Sequence, residues 1–140
     1  MATTCTLNLS SDMLSSPINI TASTTLTKAA LTSDMDLVEM GRGTIAEGDG
    51  SKTAEFGLPL GVDKAAKLFF VNKATDPTYY IDIDLHDTNI GRLYAGDWMF
   101  IPYGMNDVAS EFVIEAEPAG ATCPYEFALF QEPQTLVDHS

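Results

Sequence analysis

The chain has 140 residues, of which 45% are hydrophobic and 19% charged, enough for one buried core and short of what a second domain needs. Seven Lys and Arg against twenty Asp and Glu give a formal charge of −13, which argues against nucleic acid phosphates and anionic membrane surfaces as partners. No run of about eighteen apolar residues occurs, and Met1 to Ser11 has neither a basic nor a continuous apolar stretch, so a soluble, unprocessed chain is expected.

Residues 1–33 read as an extended arm. Thr and Ser crowd Thr3 to Ser33, with apolar residues spaced between them at Leu7, Leu9, Leu14, Ile18, Ile20 and Leu26. β-Branched residues favour strands and hydroxyls satisfy local backbone groups, so short strands are expected near Leu7 and from Ile18 to Thr21. Residues 34–140 read as a single β-sandwich domain. Gly41, Gly43, Gly48, Gly50, Gly57, Pro59 and Gly61 punctuate its start, which predicts loops with hairpins around Thr44 to Glu47 and Lys52 to Phe56. The best helical candidate is Val62 to Lys67, one or two turns.

Strand patterns then sharpen. Leu68-Phe69-Phe70-Val71 is a continuous apolar run of the buried kind, and Tyr79 to Leu85 alternates. Tyr79, Ile81, Ile83 and Leu85 share one face; Tyr80, Asp82, Asp84 and His86 share the other. Further strands are expected at Ile90 to Tyr94, Trp98 to Ile101, Glu111 to Ala116 and Tyr125 to Phe130, separated by Gly, Pro and Asn turns. The pattern is that of an all-β, antiparallel β-sandwich, with a jelly roll as the specific expectation. Phe69, Phe70, Tyr79, Trp98, Phe100, Phe112, Tyr125 and Phe127 fall at strand spacing and are expected in the core. Tyr80, Tyr94 and Tyr103, nearer turns, are candidates for surface contact.

Charge follows the same plan. Residues 1–75 hold eight acids and six bases, and residues 76–140 hold twelve acids and Arg92, giving −2 and −11. This fits either a solvated acidic surface or an acidic exterior with a near-neutral arm laid against a partner.

Catalytic chemistry finds few parts. Asp82, Asp84 and His86 share a face and Asp87 follows, a set of ligands that would suit a weakly held Ca²⁺, but a polar outer strand face is the preferred reading and no metal or other cofactor is expected. There is no Gly-x-Ser-x-Gly elbow, Walker loop or dinucleotide fingerprint, and twenty acids make a chance carboxylate pair uninformative. Cys5 and Cys123 lack metal or redox spacing and read as isolated thiols, with pairing as the alternative if first and last strands adjoin. The sequon matches at Asn8 and Asn19 read as chance.

Gly96-Asp97-Trp98-Met99-Phe100-Ile101-Pro102-Tyr103-Gly104 resembles the second cupin signature, except that Asp107 stands where its histidine would be and the His-x-His signature is missing. The cupin metal site is therefore not implied. Thr25-Leu26-Thr27-Lys28-Ala29, the stretch Ile90-Gly91-Arg92-Leu93-Tyr94-Ala95-Gly96-Asp97-Trp98 through Gly104, and Tyr125-Glu126-Phe127-Ala128-Leu129-Phe130 together resemble small structural proteins of tailed bacteriophages, including cyanophages. That resemblance implies a non-enzymatic capsid decoration or cement protein on the outer surface of the virion, made in the host cytoplasm. Its partners would be the major capsid protein and itself, with a trimer preferred. The expected contacts are Leu7, Leu9, Ile18, Ile20, Lys28 and Arg42, with Lys52, Lys64, Lys67 and Lys73 marking the basic half. Gly91, Arg92, Gly96, Asp97, Trp98, Pro102 and Gly104 form the expected hairpin motif. The alternatives are a tail or head-fibre component and, from another class, a cupin-like metal enzyme or sugar-binding module.

Overall fold

In a computed structural model the described residues are 2–11, 18–27, 36–53, 64–85, 88–104 and 112–135. They form ten strands: β1 (Ala2–Ser11), β2 (Ile18–Thr27), β3 (Asp36–Ala46), β4 (Lys52–Thr53), β5 (Lys64–Asn72), β6 (Tyr80–Leu85), β7 (Thr88–Tyr94), β8 (Trp98–Gly104), β9 (Phe112–Glu117) and β10 (Thr122–Thr135), with a 3₁₀ turn at Glu47–Asp49. The fold is all-β and antiparallel. β1 and β2 pair with each other as a two-stranded ribbon, and two four-stranded sheets have the orders β3-β10-β5-β8 and β4-β9-β6-β7.

The order is nested. β3 pairs with β10, β4 with β9, β5 with β8 and β6 with β7, so the first strand of the sandwich meets the last and each inner pair sits inside the one before. β10–β5 and β9–β6 pairings then join these ribbons into the two sheets. Five of the seven pairings join strands that are not consecutive in sequence, which is why local propensity alone leaves the order open.

The core lies between the sheets. Ile45, Leu68, Phe70, Cys123 and Leu129 project from one and Ile81, Ile83, Phe112, Ile114 and Ala116 from the other, all essentially inaccessible to solvent. Phe70 spans the layer boundary, its ring 5.8 Å from that of Phe112 and stacked at 5.2 Å on Tyr125. Side chains alternate across a strand, so Ile81 and Ile83 enter the core while Tyr80, Asp82 and Asp84 face outward, as the period of two requires.

Three expectations need correction. Residues 64–67 belong to β5 and are not helical, because Ala66 and Leu68 are on the core side of a strand paired with both β10 and β8. The glycines at 41 and 43 lie within β3 and not in a loop. They stand opposite Phe127 and Tyr125 in β10, and an added Cβ would come within 3.0 Å of the Phe127 ring and 2.5 Å of the Tyr125 ring. The missing side chains leave room for two large rings, so glycine here fits a strand and an aromatic covers the exposed backbone. The third correction concerns the Ala-Gly-Asp-Trp motif. β7 and β8 lie in different sheets, so residues 94–97 make a corner between layers and not a hairpin.

Candidate functional site

The corner is built around a buried amide. Asp97 N–H donates to the Tyr94 carbonyl at 2.8 Å, and Gly96 takes φ +87°, the positive value that the third position of a type II turn demands. The Asp97 carboxylate accepts from Tyr94 N–H at 3.0 Å. Asn72, fully buried at the end of β5, grips this turn: its backbone N–H donates to Asp97 O at 3.0 Å and its carbonyl accepts from Gly96 N–H at 2.9 Å. Its side-chain amide donates to Leu93 O at 2.9 Å and accepts from Ala74 N–H at 2.9 Å. One residue thus ties the crossing between sheets to both its flanks. Nothing in the local sequence singled out Asn72; a lone polar residue closing an apolar run was its only signal.

The two outer faces differ chemically. On the β4-β9-β6-β7 sheet, Asp82 faces Arg92 on one side and Glu115 on the other, and Tyr80 faces Tyr94 and Glu117. Arg92 Nε donates to Asp82 at 3.0 Å, and its guanidinium sits 4.5 Å from the centre of the Tyr80 ring. The Asp82 carboxylate holds the Arg92 proton more firmly than usual. Asp84 accepts from Asn89 Nδ2 at 2.9 Å. Asp82 and Asp84 are thus engaged with neighbouring side chains, and no group of three potential metal ligands occurs among the described residues. His86, Asp87 and Asp107 lie outside them.

On the β3-β10-β5-β8 sheet, residues alternating with the core positions face outward. Register places Met40, Ala128, Phe69 and Phe100 in one row across all four strands, and Arg42, Glu126, Val71 and Trp98 in the next. Met40 is 69% exposed and Trp98 47%, with the Phe69 and Trp98 rings 6.2 Å apart. A shallow groove of about 450 Å³ runs between Met40, Phe69 and Ala128. Phe69, Phe100 and Trp98 are therefore outside the core expected for them. The unbroken run Leu68 to Val71 was the available signal: a strand apolar on both faces needs cover on both.

Among the expected contacts, the β1–β2 register sets Leu7 opposite Ala22 and Leu9 opposite Ile20, with Ser11 opposite Ile18. Positions 7, 9, 18 and 20 therefore share one face of the ribbon, and Leu7 is 40% exposed. Lys28 lies outside the described residues. Arg42 is exposed on β3, Lys52 lies on β4, and Lys64 and Lys67 on β5. Gly91, with φ +149°, faces Ile83 beside a register shift; Pro102 faces Lys67 and Gly104 faces Ala65. Cys5 pairs with Thr24 on β2, whereas Cys123 is a free, buried thiol on β10, whose strand neighbours are β3 and β5. Burial raises the Cys123 pKa, partly opposed by a hydrogen bond with Asn72.

Comparison with protein families, characterised proteins and solved structures finds no match to this chain.

Proposed function

We propose that this chain is a non-enzymatic virion structural protein that decorates and cements a tailed-phage capsid by binding the lattice of the major capsid protein. The observation that carries the reading is the opposition of the outer faces: one sheet presents Asp82, Asp84, Glu115 and Glu117, the other presents Met40, Phe69, Phe100 and Trp98. Such a plate has a side to bury within an assembly, against the shell or against another copy of the chain, and a side that stays hydrated at high copy number. The nested strand pairing supports a jelly roll for β3 to β10. The β1–β2 ribbon, with positions 7, 9, 18 and 20 on one face, is the element that reaches a neighbouring subunit, either by that face or by adding its outer edge to another sheet. Self-association at local twofold or threefold lattice sites accompanies this role.

Quantitative mass spectrometry of purified virions tests it. A molar ratio to the major capsid protein near one, or a simple fraction of it, is the expected result. A ratio matching tail proteins would move the chain to the tail or a head fibre, and its absence from virions would refute a structural role.

A further inference from the structure

The outer face of the β3-β10-β5-β8 sheet carries two consecutive rows in which six of eight positions are apolar: Met40, Ala128, Phe69 and Phe100, then Val71 and Trp98 beside Arg42 and Glu126. Sheets of a sandwich normally alternate apolar inward and polar outward when the outer face meets water. Here the alternation fails on one sheet and holds on the other, where Tyr80, Asp82 and Asp84 face out from β6.

We propose that this face is a homodimer interface, covered by the same face of a second copy. Charge selects the occupant. The chain carries −13, so two copies repel unless they meet where charge is least. Among the described residues Arg42 and Glu126 balance each other across the apolar rows, whereas Asp82, Asp84, Glu115 and Glu117 against Arg92 leave the opposite face negative. Face-to-face contact buries the aromatic rows and sends both acidic sheets outward. The rows are also self-complementary: a twofold axis along the strands sets Met40 over Phe100 of the partner subunit and Arg42 over Trp98 of the partner subunit, a cation–π pair. Four strands about 4.8 Å apart and two outward rows about 6.8 Å apart give about 260 Å² of sheet per copy. That is about a third of the ~800 Å² per partner of a standard interface, so the dimer is weak and forms with concentration.

Sedimentation equilibrium of the full chain at increasing concentration, in low and high salt, tests this without reference to virions and so stands or falls separately from the proposed role. A shift from 15.1 kDa toward twice that mass is expected, and stronger association in high salt, because salt screens the net repulsion. Met40→Glu, at an exposed position that folding does not bury, is expected to weaken association at least about tenfold, the equivalent of about 1.4 kcal/mol, while leaving the circular dichroism unchanged. Ile90→Glu, exposed on the other sheet, should leave association unchanged. A monomer at every concentration, association unaffected by Met40→Glu, or a Met40→Glu variant that fails only to bind virions while wild type remains monomeric, would each overturn the proposal.

Discussion

Asn72 is the single polar residue fully buried among the described core positions, and replacing it by leucine isolates what its amide contributes. Leucine keeps the branched shape and heavy-atom count, so no cavity opens, and the lost hydrogen bonds, with some crowding from methyls larger than the amide groups, carry the cost. Two backbone groups would be orphaned: the Leu93 carbonyl, 2.9 Å from Nδ2, and the Ala74 N–H, 2.9 Å from Oδ1. A buried group left without its partner costs about 1–3 kcal/mol; Ala74 N–H is buried and takes most of that, while Leu93 O is partly solvated and takes less. The sum is about 2–4 kcal/mol. For a domain of this size 1 kcal/mol moves the melting temperature by about 3–4 °C, so Asn72→Leu should melt about 6–15 °C below wild type. Urea unfolding followed by far-ultraviolet circular dichroism gives the free energy directly. Asn72→Asp adds a diagnostic: the carboxylate still accepts from Ala74 N–H but has no proton for Leu93 O, whereas the protonated acid supplies one. Its folded pKa is therefore raised, and the variant should be closer to wild type at about pH 4 than at about pH 8. An Asn72→Leu variant within about 0.5 kcal/mol of wild type, or an Asp variant equally stable at both pH values, would refute the clamp.

Gly43→Ala should destabilise by about 1–3 kcal/mol through overpacking, because the new methyl meets the Tyr125 ring, itself stacked on Phe70, at 2.5 Å; Gly48→Ala, with nothing within 4 Å, is the matched control in the same thermal melts. In a Cys5→Ser background, Cys123 should resist a thiol reagent in the native state and react fully in denaturant, since it is buried with its Sγ 3.6 Å from Tyr80 O. The Cys123 pKa is raised from its ordinary 9.0, so the unfolded thiol ionises first as pH rises. The stability this group contributes is complete below the unfolded value and is lost as pH climbs through the folded one. Wild type should therefore lose more stability than Cys123→Ala as pH rises past the unfolded thiol's ordinary 9.0, measured by urea midpoints under reductant. Leu7→Asp, at an exposed ribbon position, should leave the melting temperature unchanged and reduce virion attachment in a pull-down; equal attachment would exclude the ribbon's apolar face as the contact.

Much of the architecture was legible in residue order because a strand's period of two is a local property. Tyr79 to Leu85 alternates in sequence, and its odd positions enter the core for the reason the pattern states. The positive charge deficit of residues 76–140 was equally plain, and Asp82, Asp84, Glu115 and Glu117 do line one outer sheet. Local reasoning failed where the deciding neighbour was remote. Gly41 and Gly43 read as loop punctuation until Phe127 and Tyr125, more than eighty positions later, are placed across from them. Residues 64–67 matched a short helix until β8 and β10 claimed their backbone hydrogen bonds. Gly96-Asp97 specified a tight turn correctly, but a turn sequence fixes only the local chain reversal; whether its flanking strands pair with each other or with β6 and β5 depends on partners elsewhere. Composition and periodicity by themselves determined an acidic, antiparallel β-protein with Gly and Asp turns, since burial, alternation and turn chemistry act over a few residues. Strand order, the Asn72 clamp and the apolar outer face were decided only by tertiary structure, because each is a relation between segments that sequence spacing does not encode.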